Sequence, residues 1–428
     1  METLTPQHFN RPIYVMPRRT REAPPSFFAS VILGLAFNAS MVSVMGSKIG
    51  FFSSSVGHAL SALALLVLIT LTWFRSRRFT FNSLPANLKL SLIVLVIVTG
   101  LLGLFGLISP NVASQLKRLV FMKTAGVMIS IVALVSSCRI FSFKEISMAL
   151  RVFAVFELAG CFAVFYLGSD INENAIAVRA TVACMCLYAL LPSKAMGYGA
   201  IVGCLAFSVS LGCRTSSIAL LGAVLFLHLE KNSRRQRALV LVSSFAAAVA
   251  LLVLFPLVAA GMQQWAMASL GSDNPIAQFF LHDKSSAKIS YDYLDRFDVW
   301  TLSLEHIREH PFLGHGMGTE HEIMKIRSHN AYLSIVFEGG IVLLLAWMWF
   351  YLRSVASLFD RRWIATVGES KLFYLALLLL VYMMMAGIVE SSGLASVATP
   401  INLIFIFLSV WLCQPKRGYD NRRLTGTR

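Results

Sequence analysis

The feature that most constrains this chain is a succession of apolar runs, each about the length that crosses a bilayer as a helix, set between short polar segments. Candidate spans are 26–46, 52–74, 89–108, 119–137, 151–168, 178–192, 197–213, 215–230, 238–260, 331–352, 372–390 and 398–413. Of the 428 residues, 57% are hydrophobic and 14% charged, where a soluble domain carries roughly 25% charged residues. One globular core cannot bury so much apolar surface, but lipid can solvate it. In lipid each backbone polar group needs a partner within the protein, so spanning segments of this length are helices. The sequence predicts an all-α polytopic membrane protein of about twelve transmembrane helices.

The formal net charge is +16. In a soluble protein that would suggest nucleic acid; here lysine and arginine mark cytoplasmic loops and meet anionic headgroups. No nucleic-acid partner is expected. With the N-terminus inside, alternation puts 25 of the 37 Lys and Arg residues on the cytoplasmic side. The other 12 are Lys48, Lys117, Arg118, Lys123, Arg179, Arg214 and six in one long loop. This predicts a cytoplasmic tail over 1–25, a second over 414–428, and a multi-pass membrane location. The run 26–46 exceeds a cleavable signal core of about 7–15 residues and is expected to remain as a helix. The cysteines Cys138, Cys161, Cys184, Cys186, Cys204, Cys213 and Cys413 lie in apolar runs or at their ends. They read as small buried hydrophobes, with no disulfide or metal framework.

The predicted layout is helices 1–9 over 26–260, a loop over 261–330, and helices 10–12 over 331–413. The loop has ordinary polarity, faces outward by the count, and is longer than a structureless connector should be. Trp300, Leu304 and Ile307 repeat at helical spacing, predicting a helix over 296–310 that Pro311 ends. Gly314, Gly316 and Gly318 then predict a flexible turn before His329 and Asn330 lead into the next span.

Three residues on the outward side stand out, and each also has an ordinary reading. Arg214, between two apolar runs, suits a snorkelling anchor. Arg296, at the predicted start of the loop helix, suits a surface pair with Asp292, Asp295 or Asp298. His329, at a membrane boundary, suits a hydrogen-bonding residue. Their co-occurrence on one side of the membrane gives them weight.

The motifs around them resemble a known superfamily. Arg296-Phe-Asp-Val-Trp300, Glu309-His-Pro-Phe-Leu-Gly-His-Gly-Met-Gly318, Ser328-His-Asn-Ala-Tyr-Leu333, Glu338-Gly-Gly-Ile341 and Arg214-Thr-Ser-Ser217 are similar to the signature of O-antigen ligases and of O-antigen and exopolysaccharide polymerases. The resemblance is nearest to the exopolysaccharide repeat-unit polymerases. Two small departures are Cys213, where a serine is common, and Ile341 directly after Gly340. The resemblance implies a fold similar to the C class of membrane glycosyltransferases. It implies a glycan donor on undecaprenyl diphosphate, a hydroxyl acceptor, and transfer at the periplasmic face. It also implies that Arg214 and Arg296 hold the diphosphate while His329 activates the acceptor.

Elementary chemistry fits those roles. A diphosphate gains negative charge as its glycosidic bond breaks, and guanidinium groups present forked, permanently charged donors. So good a leaving group needs no acid, and arginines that neutralise it leave no need for a metal. Nearby guanidinium charge disfavours an imidazolium, so His329 is expected to be able to accept a proton. Displacement by an activated hydroxyl inverts the anomeric centre. No cofactor is expected. His310, His315 and His321 share the loop, but their spacing on a glycine turn fits no zinc pattern.

Secondary candidates complete the reading. Lys117, Arg118 and Lys123 depart from the charge rule and suit either the diphosphate or lipid headgroups. Glu157, within a span, suits a functional carboxylate or one hydrogen-bonded to a neighbouring helix. Glu338 is expected to partner an arginine, Trp300 to pack the loop helix onto the bundle, and Asn330 to support His329. A polymerase would have a chain-length regulator and a flippase as partners. The competing readings are a ligase delivering glycan to lipid A core and a transporter without covalent chemistry. If Glu157 and Lys123 lined a central pore, transport would be favoured.

Overall fold

The computed structural model describes residues 26–38, 63, 65–70, 84–108, 114–138, 140–167, 173–191, 193–210, 213–231, 268, 286–325, 328–359, 367–387 and 399–414. Among the described residues there is no strand. The helices are α1 (Phe27–Phe37), α2 (Ala86–Ile108), α3 (Ser114–Ser137), α4 (Phe143–Leu167), α5 (Glu173–Leu190), α6 (Lys194–Ser210), α7 (Arg214–Lys231), α8 (Ser286–Glu309), α9 (Glu320–Met324), α10 (Ala331–Phe359), α11 (Val367–Ala386) and α12 (Pro400–Leu412). The predicted span 238–260 lies outside the described residues. So do the end of 26–46 and most of 52–74.

Four of these helices are long and apolar enough to cross a membrane: Ala86–Ile108, Val120–Ser137, Phe143–Phe165 and Ala331–Phe359. Ile176–Leu190, Ala195–Ser208, Ser216–Leu225, Ser370–Ala386 and Ile401–Leu412 are shorter apolar helices. Several helices run beyond the predicted spans. α3 and α4 begin at Ser114 and Phe143 rather than at 119 and 151, because polar flanks are helical too. At the head of α4, Ser142 and Glu145 form a capping box, with Glu145 N–H to Ser142 Oγ (3.3 Å) and Ser142 N–H to Glu145 Oε2 (2.8 Å).

The surface matches the composition. Leu101, Leu104, Phe105 and Ile108 of α2, Phe121 of α3, Val155 of α4, and Leu345 and Leu352 of α10 are exposed. Such an apolar surface suits lipid rather than water. Beneath it, α12 is buried almost throughout. Trp411 ties its end to Phe141 O (3.0 Å), and Tyr351 of α10 donates to Asn402 Oδ1 (2.8 Å). All seven cysteines are buried, as expected of small apolar residues.

Glu157 is fully buried on α4 and forms an ion pair with Arg179. The span count put Arg179 at the outward end of span 178–192; it stands on α5, which packs along α4.

The largest departure from the sequence reading is in α10, which is not one straight span. Gly340 has φ 66° and ψ −176°, a conformation essentially confined to glycine. Tyr332 Oη donates to Met384 O (3.0 Å), and Tyr351 Oη reaches Met383 Sδ (3.5 Å). A straight helix would separate residues nineteen apart by about 28 Å. The arms 331–339 and 341–359 therefore fold toward each other at Gly340.

Two outcomes test this packing. Removing one partner of a buried ion pair typically costs about 3–5 kcal/mol, so Glu157→Ala should lower the thermal midpoint of the detergent-solubilised protein by several degrees. An unchanged midpoint would show that the pair contributes nothing. Gly340→Ala brings about 1–3 kcal/mol of backbone strain, and its β-carbon would stand 2.0 Å from Phe312 O. It should destabilise the protein by more than the backbone strain alone; wild-type stability would refute the tight junction.

Candidate active site

The candidate site is built around the turn 328–330, which feeds the short arm of α10. His329 itself has φ 52°, left-handed backbone that non-glycine residues rarely adopt. Such strain persists only where the surroundings over-determine it. Trp300 of α8 donates from Nε1 to Ser328 O (2.7 Å). Buried Glu320 of α9 accepts from Ser328 N–H (3.0 Å) with one oxygen and from Ser334 Oγ–H (2.7 Å) with the other. Asn330 caps the arm, its Oδ1 accepting from Tyr332 and Leu333 N–H at 3.0 Å each. Ala331 N–H donates to Gly387 O at the end of α11 (2.8 Å).

The arm's first peptide groups are thereby spent on protein acceptors. Its N-terminus is not an open anion hole, and an anionic substrate here would rely on side-chain cations.

The glycine turn is pinned, which corrects the expectation of flexibility. His315 N–H donates to Phe337 O (2.8 Å) and Gly316 N–H to Glu338 O (2.9 Å). Ile341 N–H donates in return to Pro311 O (2.9 Å). The turn thus supplies the partners that the broken helix lacks. Gly314, Gly316 and Gly318 all have positive φ, and a β-carbon on Gly314 would lie 2.5 Å from the carbonyl carbon of Glu338. For Glu338, expected to serve through its side chain, the described role is its backbone carbonyl.

α8 runs from Ser286 to Glu309, so Arg296 stands inside this helix and not at its start. It lies one turn before Trp300, the spacing of residues on one face. Trp300 does more than pack: its indole fixes the peptide that precedes His329.

Arg214 is the first residue of α7. Two residues on, Ser216 Oγ lies 3.1 Å from Tyr382 Oη of α11. The stretch 382–387 of α11, about 8 Å of helix axis, therefore touches both the start of α7 and the start of α10. The side chains of Arg118, Arg214, Arg296 and His321, and those of Asp292 and Asp295, lie outside the description.

Lys123 is exposed on α3, and its stem packs beneath the turn, with Cγ 2.9 Å from where a β-carbon on Gly318 would stand. Lys117 is half-buried on the same helix. Glu157 is buried against Arg179, whereas Lys123 is exposed. A cavity of about 780 Å³ runs along α4 between Phe143 and Ala159 and contains none of these candidates.

Sequence reasoning missed Glu320, Ser334 and Tyr332. Nothing in their spacing marks them, since each acts through a contact made across the fold.

His315 is half-buried against Phe337 (ring centroids 4.7 Å). Burial holds its pKa below the usual histidine range, while the hydrogen bond to His306 O (2.9 Å) pulls the other way. His306, Glu309 and His315 each offer one ligand atom within 4.8 Å of the others. The sequence had grouped His310, His315 and His321 instead; the helical register of α8 brings His306 and Glu309 to one side.

Two comparisons with known proteins bear on this arrangement. Residues 199–348 match the family model described as O-antigen ligase. That stretch holds Arg214, Arg296, His329 and the Gly340 junction. The chain is also 31% identical over 106 residues to a protein named O-antigen ligase from Pseudomonas aeruginosa. This match covers 23% of the chain and 24% of that relative's length. The motifs quoted from the sequence fall inside the stretch matched over 199–348, and together with the matched relative they support a likeness to the O-antigen ligases and polymerases.

Proposed function

We propose that this chain is an inner-membrane glycosyltransferase that moves glycan from undecaprenyl diphosphate to a hydroxyl acceptor at the periplasmic face, with inversion and with no metal in the transfer step. One observation carries the reading. The segment 328–332 is held on one side by the helix that bears Arg296, and on the other by a stretch of α11 bonded to the start of α7, where Arg214 stands. Contacts thereby link the three backbone segments that bear these residues, which supports the reading that they act together.

In this reading Arg214 and Arg296 grip the diphosphate and gain strength as it departs with the electron pair of the glycosidic bond. The His329 imidazole takes the proton of the attacking hydroxyl. Lys117, Arg118 and Lys123 form a basic flank along which the diphosphate approaches. Glu320, Trp300 and Asn330 are positioning residues, acting through the backbone on either side of His329.

The acceptor sets two readings apart. The motifs lean to a polymerase that joins lipid-linked repeat units into exopolysaccharide or O-antigen. The family description and the matched relative both carry the name of a ligase, so delivery of finished glycan to lipid A core fits at least as well. In a deletion strain, loss of long polysaccharide with capped lipopolysaccharide intact marks a polymerase. Loss of capping with accumulation of lipid-linked polymer marks a ligase.

His329→Ala should lower the transfer rate by about 10²–10⁴, and Arg296→Ala should abolish long or ligated glycan, both at normal protein level. Normal product in either variant would remove that residue from the mechanism. Arg214→Lys should impair transfer because an ammonium lacks the fork; full activity would leave it an anchor. Glu320→Ala leaves two buried donors without their acceptor, at about 1–3 kcal/mol each. It should reduce product, with rescue by Glu320→Gln, whose amide still offers an acceptor. Equal loss in both variants would mean that the charge, not the positioning, matters.

A further inference from the structure

The loop contains a second cluster that glycan transfer does not use. His306 and Glu309 stand one turn apart at the end of α8, with Nδ1 and Oε2 separated by 3.6 Å. His315 faces them from the turn, its ring centroid 5.8 Å from that of His306 and 4.8 Å from that of His310. We propose that His306, Glu309 and His315 bind a divalent transition-metal ion of the zinc class, which fastens the last turn of α8 to the turn gripping the break in α10.

Three features favour a ligand set over ring packing alone. The scaffold is rigid: His315 is fixed through its own N–H to Phe337 O and by the hydrogen bond from Gly314 N–H to His310 O (3.0 Å). The ligand atoms lie within 4.8 Å of one another. Zinc–nitrogen bonds of about 2.0–2.1 Å put neighbouring tetrahedral ligands roughly 3.4 Å apart. Half-exposed His306 and exposed Glu309 can close that gap by small rotations. Third, a carbonyl only accepts, so the contact of His315 with His306 O makes Nε2 the protonated nitrogen and leaves the lone pair on Nδ1. A ring nitrogen donating to a backbone carbonyl is the usual outer support of a metal-bound histidine. His310 or water completes a four-coordinate set. The ion is a brace and takes no part in bond making, so this proposal stands or falls independently of glycan transfer.

The test uses the untagged full-length chain in detergent or nanodiscs, titrated with Co²⁺, whose tetrahedral complexes absorb strongly in the visible. A stoichiometric cobalt band displaced by Zn²⁺ is expected. Binding should weaken by well over about 10-fold, the lower end of the loss seen on removing a mere supporting group, in His306→Gln and in His315→Gln. Zn²⁺ should raise the thermal midpoint of the wild type but not that of His306→Gln, whose half-exposed position lets the variant fold. Absence of the band in wild type would overturn the proposal, as would a band unchanged in both variants.

Discussion

A helix that breaks inside an apolar bundle frees peptide groups, and lipid offers them nothing. At Gly340 the 310–316 turn solves this problem. It lends N–H groups to Phe337 O and Glu338 O and takes one from Ile341 through Pro311 O. The break therefore requires the turn, and the turn requires glycines where β-carbons would collide with the break. Everything after it follows from that exchange. The helix bends at Gly340, its first residues reach the end of α11, and the turn that bears His329 is carried with them.

Much of this was legible in the chain. Apolar run length gave helices wherever residues are described, Pro311 ended the loop helix, and the motifs at 309–318 and 338–341 fall on segments that bond to each other. The break at Gly340 was not legible. Glu338-Gly-Gly-Ile341 reads as part of an apolar run, because hydropathy counts side chains and not hydrogen bonds. The start of α8 lies ten residues before Arg296, where Ile289, Tyr293 and Phe297 extend the helical spacing of Trp300, Leu304 and Ile307. The roles of Glu320 and Ser334 depend on contacts between elements, which periodicity does not encode. Glu157 could be flagged as an intramembrane carboxylate, but pairing it with Arg179 needed the packing of α4 on α5.

The left-handed backbone at His329 has a cost, of order 1–3 kcal/mol, and the surroundings hold it in place. Restraints on Ser328 come from Trp300 and Glu320, and those on the following residues from Asn330 and Gly387. They arise from four separate elements: α8, α9, the cap itself and α11. A packing role for the imidazole would not call for strain fixed from so many directions. A base that must meet a hydroxyl within hydrogen-bond reach does call for it, since small misplacements are costly in rate.

The same restraints separate chemistry from acceptor choice. Each named contact acts on the peptide backbone beside His329 or on the helices bearing Arg214 and Arg296, and so, in the proposed function, on the donor side of the reaction. None selects between a second lipid-linked repeat and lipid A core. On that proposal a change of acceptor needs only a change in the surface around the donor site, and the motifs speak to the bond broken more than to the molecule extended.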